Sequence, residues 1–465
     1  MSQVQNVFSK VMYSKKVGVY FKYLFKFTFQ YKLFHFLRTD HHIKLDNIKE
    51  FKKKLLQWAN AFDKVVWLDS NEYNQAHSSF DAVLAVEGLS SIQVDVDQGF
   101  QVLEDFIKET SDWVFGYLSY DLKNDIEALY SSNFDGLGFS DLVFFQPKKI
   151  FMFHGDEVIV RYLNEFSHLI HSDLEKINNQ HLGYTNHTSY KINIVPRTSK
   201  ESYLTKVNIL QSHINRGDIY EANFCQEFYA HANIDPLATF HKLQERSTPP
   251  FSAYMKNGKQ FSLSASPERY LKKEGELVIS QPIKGTSKRS ANLNEDARLK
   301  KDLESNPKER SENVMIVDLV RNDLSRIAKK GSVQVDELCG SYTFAQVHHL
   351  ISTVTAKIKD DYSSVDVIRS TFPMGSMTGA PKIAAMKLIE ELEDSKRGLY
   401  SGAIGYFTPY GDFDFNVVIR SILYNQDKAY VSFSVGSAIT SKSCPESEYE
   451  ECLVKAKALR EALEN

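Results

Sequence analysis

Short apolar runs separated by turn residues dominate this chain and predict a sheet-rich fold. Such runs are rich in β-branched and aromatic residues, which is typical of strands. They predict strands at Val65–Leu68, Asp81–Val86, Trp113–Tyr120, Leu142–Pro147, Ile150–Phe153, Glu157–Tyr162, Ile219–Tyr229, Ala253–Met255, Gln260–Lys272, Glu276–Gln281, Tyr400–Tyr406, Asp414–Tyr424 and Ala429–Val435.

Apolar residues at helical spacing interrupt the strand pattern in several stretches. They predict helices at residues 47–59, 202–216, 294–304, 308–328 and 446–464. Asp46 is the expected N-cap of the first helix, and Gly217 ends the second. Antiparallel strand pairs interleaved with helices favour an α+β fold, in which two large, mainly antiparallel sheets pack face to face with helices outside.

A polar stretch at residues 175–195 divides the chain into two segments. Residues 1–45 form a basic, aromatic extension in which seven Lys and Arg precede the first acidic residue, Asp40. We expect this extension to be poorly ordered or to reflect a start codon placed too far upstream; a targeting segment and an amphipathic surface helix are the alternatives. Residues 46–190 are predicted to form an N-terminal subdomain, and residues 195–465 the domain that carries the candidate chemistry.

Composition excludes several classes of protein. The chain has 465 residues, of which 42% are hydrophobic and 25% charged, as in an ordinary globular protein. Its net charge of −3 gives no basic surface for nucleic acid or an anionic membrane, and no apolar run is long enough to span a bilayer. The four cysteines are widely spaced without a C-x-x-C pair, which argues against a disulfide framework or structural zinc and favours a reducing cytoplasm.

Two predicted helices each carry a pair of glutamates three residues apart. These are Glu309 with Glu312 and Glu448 with Glu451, and this spacing puts both members of a pair on one helix face. If the two pairs face each other, their charge requires a counter-ion, and carboxylate oxygens suit Mg²⁺. Taken singly, each pair is also typical of a solvated helix face. Lys455, four residues after Glu451, is the expected ion-pair partner or a carboxylate binder.

One amine, Lys284, follows the predicted strand Glu276–Gln281. It stands between Pro282, which ends the strand, and Gly285, which permits a tight backbone path. This position favours a side chain that faces a cleft. A single lysine in a loop is more often solvated, so the interpretation depends on the residues around it.

Four other features suit an anionic small molecule. His349 suits proton transfer, Arg420 can bind a carboxylate with its guanidinium, Gly436–Ala438 lets a ligand approach the backbone, and Thr378–Lys382 begins a helix. Each alone is also ordinary structural chemistry. No phosphate-binding, dinucleotide-binding or nucleophile-elbow motif is present. Together these residues predict a Mg²⁺ site that binds an anionic small molecule beside an amine nucleophile.

Seven motifs between about residue 200 and the C-terminus resemble those of the chorismate-utilising enzymes, in the family's order. The segment from about residue 47 resembles the first half of that family more loosely. The resemblance implies the family's α+β fold and chorismate as substrate. The motifs are Ser266–Arg269, Pro282–Thr286, Arg310–Asp323, His349-Leu350, Gly375–Lys382, Gly398–Gly402 and Pro445–Glu451.

Within Pro282–Thr286, Lys284 stands where anthranilate synthases have alanine. The lysine form resembles the branch that converts chorismate and ammonia to 4-amino-4-deoxychorismate, for 4-aminobenzoate and folate biosynthesis. In that branch a separate glutamine amidotransferase subunit supplies the ammonia, which implies a heterodimer. Two alternatives remain: component I of anthranilate synthase, and a non-catalytic chorismate-binding subunit.

The resemblance also implies a role for each matching position. Lys284 matches the nucleophile that attacks carbon C2, and we expect Mg²⁺ and partial burial to depress its pKa. Glu268 matches the general acid for the leaving C4 hydroxyl, and His349 a histidine beside the ring. Glu221 stands where water-using relatives have lysine and ammonia-using relatives have glutamine, so its role is open, with handling of the ammonia proton one option. The remaining matches are the Mg²⁺ ligands Glu309, Glu312, Glu448 and Glu451, and the substrate-binding residues Thr286, Thr378, Tyr400, Arg420, Gly436 and Lys455.

Overall fold

The computed structural model describes residues 37–73, 77–182, 192–344 and 347–464, so most of the predicted N-terminal extension lies outside the described residues. The strands β1–β20 are, in chain order, Arg38–Lys44, Lys64–Asp69, Ala82–Val94, Val114–Leu118, Leu142–His154, Glu157–Leu163, Val195–Pro196, Glu221–His231, Phe251–Asn257, Gln260–Ser266, Arg269–Glu274, Leu277–Gln281, Ile283–Lys288, Gln334–Thr343, Val347–Lys357, Gly379–Ala380, Ala403–Phe407, Phe413–Asn416, Ser421–Asn425 and Tyr430–Ile439.

Ten α-helices accompany these strands in the described ranges. The helices α1–α10 are Ile48–Ala59, Gly99–Thr110, Ile170–Asn178, Lys200–Arg216, Pro236–Arg246, Leu293–Ser305, Pro307–Ile327, Ser364–Thr371, Lys382–Leu392 and Pro445–Glu464. No helix in these ranges is long and apolar enough to cross a membrane.

The strands form two antiparallel sheets joined by the long strands β3 and β5. The first sheet has the order β1-β6-β5-β3-β2-β9-β10-β19-β20-β8, and β7 and β16 both pair with β8. The other ends of β3 and β5 begin the second sheet, which continues through β4, β17, β18, β11, β12 and β15. There β12 and β13 follow one another along β15, which also pairs with β14.

Two large apolar cores among the described residues hold this arrangement together. The alternation of β2 shows how: Val66 belongs to the core shared with the second sheet, whereas Val65 and Trp67 belong to the core under the helices that cover the first sheet. Those helices include α1, α3, α4, α5 and α10, while α2, α7 and α8 cover the second sheet. The predicted α+β fold with two antiparallel sheets and outer helices is confirmed.

Several predicted boundaries differ from the structure. The N-cap of α1 is Asn47 rather than Asp46, because the Asn47 side chain accepts a hydrogen bond from the Glu50 amide. The predicted strand Gln260–Lys272 is broken into β10 and β11 at Pro267, which has no N–H to donate. The predicted strand Asp414–Tyr424 is likewise broken into β18 and β19 before Ser421.

The two predicted segments share both sheets. Strand β2 from the first segment pairs with β9 from the second, and β4 pairs with β17. Arg38–Lys44, which the sequence analysis placed in the extension, is β1 and pairs with β6. The boundary at 175–195 therefore separates segments of sequence that fold into one set of sheets.

Candidate active site

A cavity of about 580 Å³ lies among the edge of the second sheet, α7, α10 and the end of β20. Its walls bring together residues that the sequence separates by as many as about 190 positions. All but two of the predicted site residues line it: Glu268, Lys284, Thr286, Glu309, Glu312, His349, Tyr400, Arg420, Gly436, Glu448, Glu451 and Lys455.

Lys284 enters the cavity from an irregular piece of strand. The pairing of β13 with β15 shifts between Ile283 and Thr286, so Lys284 stands within the shift. Gly285 follows with a φ of +95°, which glycine adopts without strain. The Lys284 Nζ atom lies 3.2 Å from Glu221 Oε1, and the two side chains are 12% and 1% exposed.

The surroundings of Lys284 favour its protonated form. Burial lowers the pKa of this amine, but the carboxylates of Glu221, Glu312 and Glu268 raise it by more, so the pKa lies above its usual value of 10.5. The protein groups alone therefore do not depress this pKa, so the depression expected from the sequence would depend on bound Mg²⁺. Lys284 must lose a proton before it can act as a nucleophile.

Glu268 occupies the break between β10 and β11. Its backbone N–H donates to Ser266 Oγ at 3.2 Å, and its carbonyl accepts from the Val417 amide at 3.0 Å. Burial raises the pKa of this carboxyl to about 7, against the opposing effects of Ser376 and Lys284. A carboxyl with this pKa carries a proton over part of the neutral range, as a general acid requires.

His349 is held as a neutral imidazole. It stands opposite Thr286 in the β13–β15 pair, and its Nδ1 lies 3.0 Å from Thr286 Oγ1 and 3.3 Å from the Gly285 carbonyl. Because a carbonyl only accepts, we assign the proton to Nδ1, which leaves Nε2 as an acceptor without a partner among the described residues. Burial and the charge of Arg420 lower the pKa of His349 to about 3.

The two glutamate pairs meet in this cavity. The ammonium of Lys308 lies between the helices, 3.5 Å from Glu448 Oε1 and 3.7 Å from Glu312 Oε1. Burial raises the pKa of Glu312 to about 7 and also raises that of Glu309. Burial alone would raise the pKa of Glu451 too, but its ion pair with Lys455 lowers it.

The donor set of this cluster fits a hard divalent cation. Four carboxylates line one cavity, and Glu312 Oε1 is buried without a hydrogen-bond partner among the described residues. Carboxylate oxygens are the ligands that Mg²⁺ takes, together with waters and substrate oxygens. Among the described residues, no three carboxylate, imidazole or thiol groups stand close enough to hold a metal ion together, so at most two of these glutamates would bind the ion directly and the others through water.

Cationic and backbone groups also line the cavity. The Arg420 guanidinium makes no hydrogen bond or ion pair with the described residues, so it is available to a ligand anion. Lys455 Nζ contacts Glu451 Oε1 at 2.7 Å and donates to the Gly436 carbonyl at 2.8 Å. The Tyr400 hydroxyl lies 3.5 Å from Cys225 Sγ.

Glu221 and Thr378 are the two predicted site residues that do not line the cavity. Glu221 lies behind the residues that line the cavity, and its carboxylate contacts the Lys284 ammonium. The Thr378 hydroxyl donates to the Gly375 carbonyl at 3.2 Å, and its own carbonyl accepts from the Asn223 amide at 2.7 Å. Thr378 therefore supports a turn beside β8 and does not present its hydroxyl to the cavity.

Sequence reasoning missed two residues of the site, Lys308 and Asn313. Lys308 is adjacent to Glu309 in the sequence, and an ammonium next to an acidic pair was the available signal. Asn313 directly follows Glu312, and its side chain donates to the backbone carbonyl of Lys284 at 3.2 Å.

Gly436 is predicted to tolerate no side chain. A Cβ atom at this position would lie 2.4 Å from Cys225 Sγ and 2.6 Å from the Phe224 carbonyl. We expect Gly436→Ala to lower the free energy of unfolding by about 1–3 kcal/mol, because the neighbouring strand β8 must move. Urea denaturation measures this, with Ser434→Ala on the same strand as the control. Equal stability of the two variants would contradict the prediction.

Comparison with known proteins identifies the family to which this chain belongs. Residues 46–461 match the family model of the chorismate binding enzyme. The aminodeoxychorismate synthase of Streptomyces griseus is 42% identical over 270 residues, which are 58% of this chain and 37% of that protein. Aminodeoxychorismate synthase component 1 of Bacillus subtilis (strain 168) is 33% identical over 364 residues, covering 75% of this chain and 76% of that protein.

A solved structure supports the same family. Anthranilate synthase component I from Streptococcus pneumoniae TIGR4 superposes with a TM-score of 0.72 at 25% identity, covering 84% of this chain and 94% of that one. The chain spans about a third of the length of the Streptomyces protein. Because the family model covers nearly all of the described residues, the chain belongs to the chorismate binding enzyme family.

Proposed function

We propose that this chain is an aminodeoxychorismate synthase component 1, which converts chorismate and ammonia to 4-amino-4-deoxychorismate. The observation that carries the proposal is Lys284, a largely buried amine that lines the cavity beside Glu268 and Glu221. Relatives named aminodeoxychorismate synthase and anthranilate synthase both match at about one third identity, so similarity alone does not choose between them.

The proposed reaction uses Lys284 and Glu268 in turn. The uncharged Lys284 Nζ attacks carbon C2 of chorismate, the ring double bonds shift, and the C4–O bond breaks. Glu268 donates its proton to the departing oxygen, which leaves as water. Ammonia then attacks C4, the double bonds shift back, and the C2–N bond breaks to release Lys284. Glu221, whose buried carboxylate contacts Lys284, is a candidate acceptor for a proton of the amine or of ammonia.

The cavity suits the carboxylates of chorismate. The unpaired guanidinium of Arg420 offers paired donors to one carboxylate. Lys455 donates to the Gly436 carbonyl, and Thr286 and Tyr400 also line the cavity. We expect the ring of chorismate to lie beside the neutral His349, whose Nε2 has no partner among the described residues.

Mg²⁺ is part of this proposal. Glu309, Glu312, Glu448 and Glu451 would hold it, directly or through water. When bound, the ion supplies a positive charge that fixes a substrate carboxylate. A glutamine amidotransferase subunit is the proposed source of ammonia, in a heterodimer. The four unpaired cysteines favour a reducing, cytoplasmic location.

The rate is expected to depend on pH through two groups, because Glu268 must carry a proton and Lys284 must lose one. Glu268 is protonated below its pKa of about 7, whereas the pKa of Lys284 lies above its usual value of 10.5. Below the pKa of Glu268 only the protonation of Lys284 changes, so we expect kcat/KM for chorismate to rise about tenfold per pH unit. Above it the gain of uncharged amine and the loss of protonated carboxyl cancel, so the profile should become level. The measurement is the pH profile at saturating Mg²⁺, with the concentration of uncharged ammonia held constant. Glu268→Gln should lose about 10²–10⁴-fold in rate, and its profile should keep rising through the pKa of Glu268. A wild-type profile that rises in the same way would contradict the role of Glu268.

A product assay tests the proposed function. Chorismate, Mg²⁺ and an ammonium salt are incubated with the protein, and the products are separated by chromatography. Formation of 4-amino-4-deoxychorismate, which gives 4-aminobenzoate when a lyase is added, supports the proposal. Fluorescent anthranilate would instead make the chain an anthranilate synthase component. No turnover, even with an amidotransferase subunit present, would favour the non-catalytic binding subunit.

A further inference from the structure

Both polar atoms of the Asn313 side-chain amide make hydrogen bonds inside the wall of the cavity. The residue is 1% exposed and lies on α7, immediately after Glu312. Its Nδ2 donates to the carbonyls of Lys284 at 3.2 Å and Leu350 at 3.3 Å. Its Oδ1 accepts from the Ser352 hydroxyl at 2.5 Å, and the Cys339 thiol lies 3.5 Å away. One side chain therefore connects α7 with three neighbouring strands.

These contacts lie where the regular pairing between β13 and β15 is interrupted, at Lys284. The pairing of β13 with β15 is regular from Thr286 onward but shifts across Lys284 and Gly285. The carbonyls of these two residues instead contact side chains, Asn313 Nδ2 for the first and His349 Nδ1 for the second. A strand whose ladder is interrupted depends on such contacts for its position.

We propose that Asn313 is a positioning residue that fixes Lys284 in the geometry for attack. Its hydrogen bond to the Lys284 carbonyl fixes the backbone position from which the Lys284 side chain extends. Its hydrogen bond to the Leu350 carbonyl fixes that position relative to β15, the strand that carries His349. Because Asn313 shares α7 with Glu309 and Glu312, the same contacts fix the nucleophile relative to the acidic cluster. This inference rests on the proposed function, in which Lys284 is the nucleophile.

Asn313→Asp separates positioning from packing. Aspartate keeps the shape and can still accept from Ser352, but it has no N–H to donate to the Lys284 and Leu350 carbonyls. We expect kcat, measured as loss of chorismate, to fall about a hundredfold, because a displacement of about 1 Å at a reacting atom has this effect. KM for chorismate should stay within about threefold, since the groups that bind the substrate are unchanged.

Asn425→Asp is the matched control. Asn425 is also buried, donates to the Leu137 carbonyl at 2.7 Å and accepts from the Asp427 amide at 3.1 Å, but neither of these partners lines the cavity. Both variants should lower the thermal unfolding midpoint, whereas only Asn313→Asp should lower kcat. Equal kcat values for the two variants, or a loss confined to KM, would overturn the proposal.

A second measurement needs no turnover. Reductive methylation of Lys284 is followed by mass spectrometry, relative to the exposed Lys259 in the same sample. In Asn313→Ala we expect Lys284 to lose its contact with Glu221 and to react at least about threefold faster, because the ion pair no longer holds its proton. An unchanged ratio would show that Asn313 does not position Lys284. If the wild type does not consume chorismate, the proposed function fails while this measurement still decides the role of Asn313.

Discussion

Lys284→Ala is expected to reduce consumption of chorismate by at least about 10³-fold, as removal of a covalent nucleophile does in other enzymes. Binding of chorismate and Mg²⁺ should persist, because Arg420, Lys455 and the glutamate pairs are untouched. Stopped assays with product chromatography measure the first effect, and equilibrium titration with chorismate measures the second. Full activity in this variant would remove the covalent step from the proposed mechanism.

Lys284→Arg separates nucleophilicity from charge. Arginine keeps a positive group near Glu221, but its guanidinium does not lose its proton in proteins and cannot attack carbon C2. We therefore expect this variant to be as inactive as Lys284→Ala. Substantial activity in Lys284→Arg would mean that the site needs a cation at this position and not an amine.

The double variant Lys284→Ala/Glu221→Gln separates folding from chemistry. Lys284→Ala leaves a buried carboxylate without its partner, which we expect to lower the free energy of unfolding by about 3 kcal/mol. Adding Glu221→Gln removes that charge and should restore most of the stability, with no gain in activity. Recovery of activity together with stability would show that the single variant had failed by unfolding.

Local periodicity explains why much of the fold and the acidic cluster could be predicted from the sequence. Residues at i and i+3 share a helix face whatever the tertiary structure, so Glu309 and Glu312 had to point the same way. The alternation in β2 likewise required Val65 and Val66 to face different cores. Such signals lie within one element and need no knowledge of its neighbours.

Contacts between distant elements could not be predicted in the same way. Glu221 begins β8 and Lys284 lies in β13, two strands that do not pair with each other, so their contact depends on tertiary packing that no local pattern specifies. The effect of the protein groups on the pKa of Lys284 could not be predicted for the same reason, since three carboxylates from separate elements outweigh the effect of burial. Thr378 lies in a matching motif, but its hydroxyl is used within a turn that the motif alone does not show.

Removing the divalent cation is expected to abolish turnover, with recovery when Mg²⁺ is added back. The four glutamates carry more negative charge than Lys308 and Lys455 neutralise, so a further cation stabilises the cluster when substrate adds its own carboxylates. Chelation followed by titration with Mg²⁺ measures the requirement, and electron paramagnetic resonance of bound Mn²⁺ measures affinity without turnover. Activity that survives chelation, in protein shown to be free of metal, would contradict the proposed site.

Glu448→Gln tests whether the ion binds at this cluster. Glu448 is 3% exposed and faces Glu312 through Lys308, so its loss should weaken binding of Mn²⁺ and Mg²⁺ at least about tenfold. Glu450→Gln is the matched control, because Glu450 lies on the same helix but is exposed and pairs with Lys200. The two substitutions remove the same charge from the same helix. Weaker binding in Glu448→Gln, with unchanged binding in Glu450→Gln, would therefore place the ion between α7 and α10. Equal affinities in both variants would exclude Glu448 as a ligand.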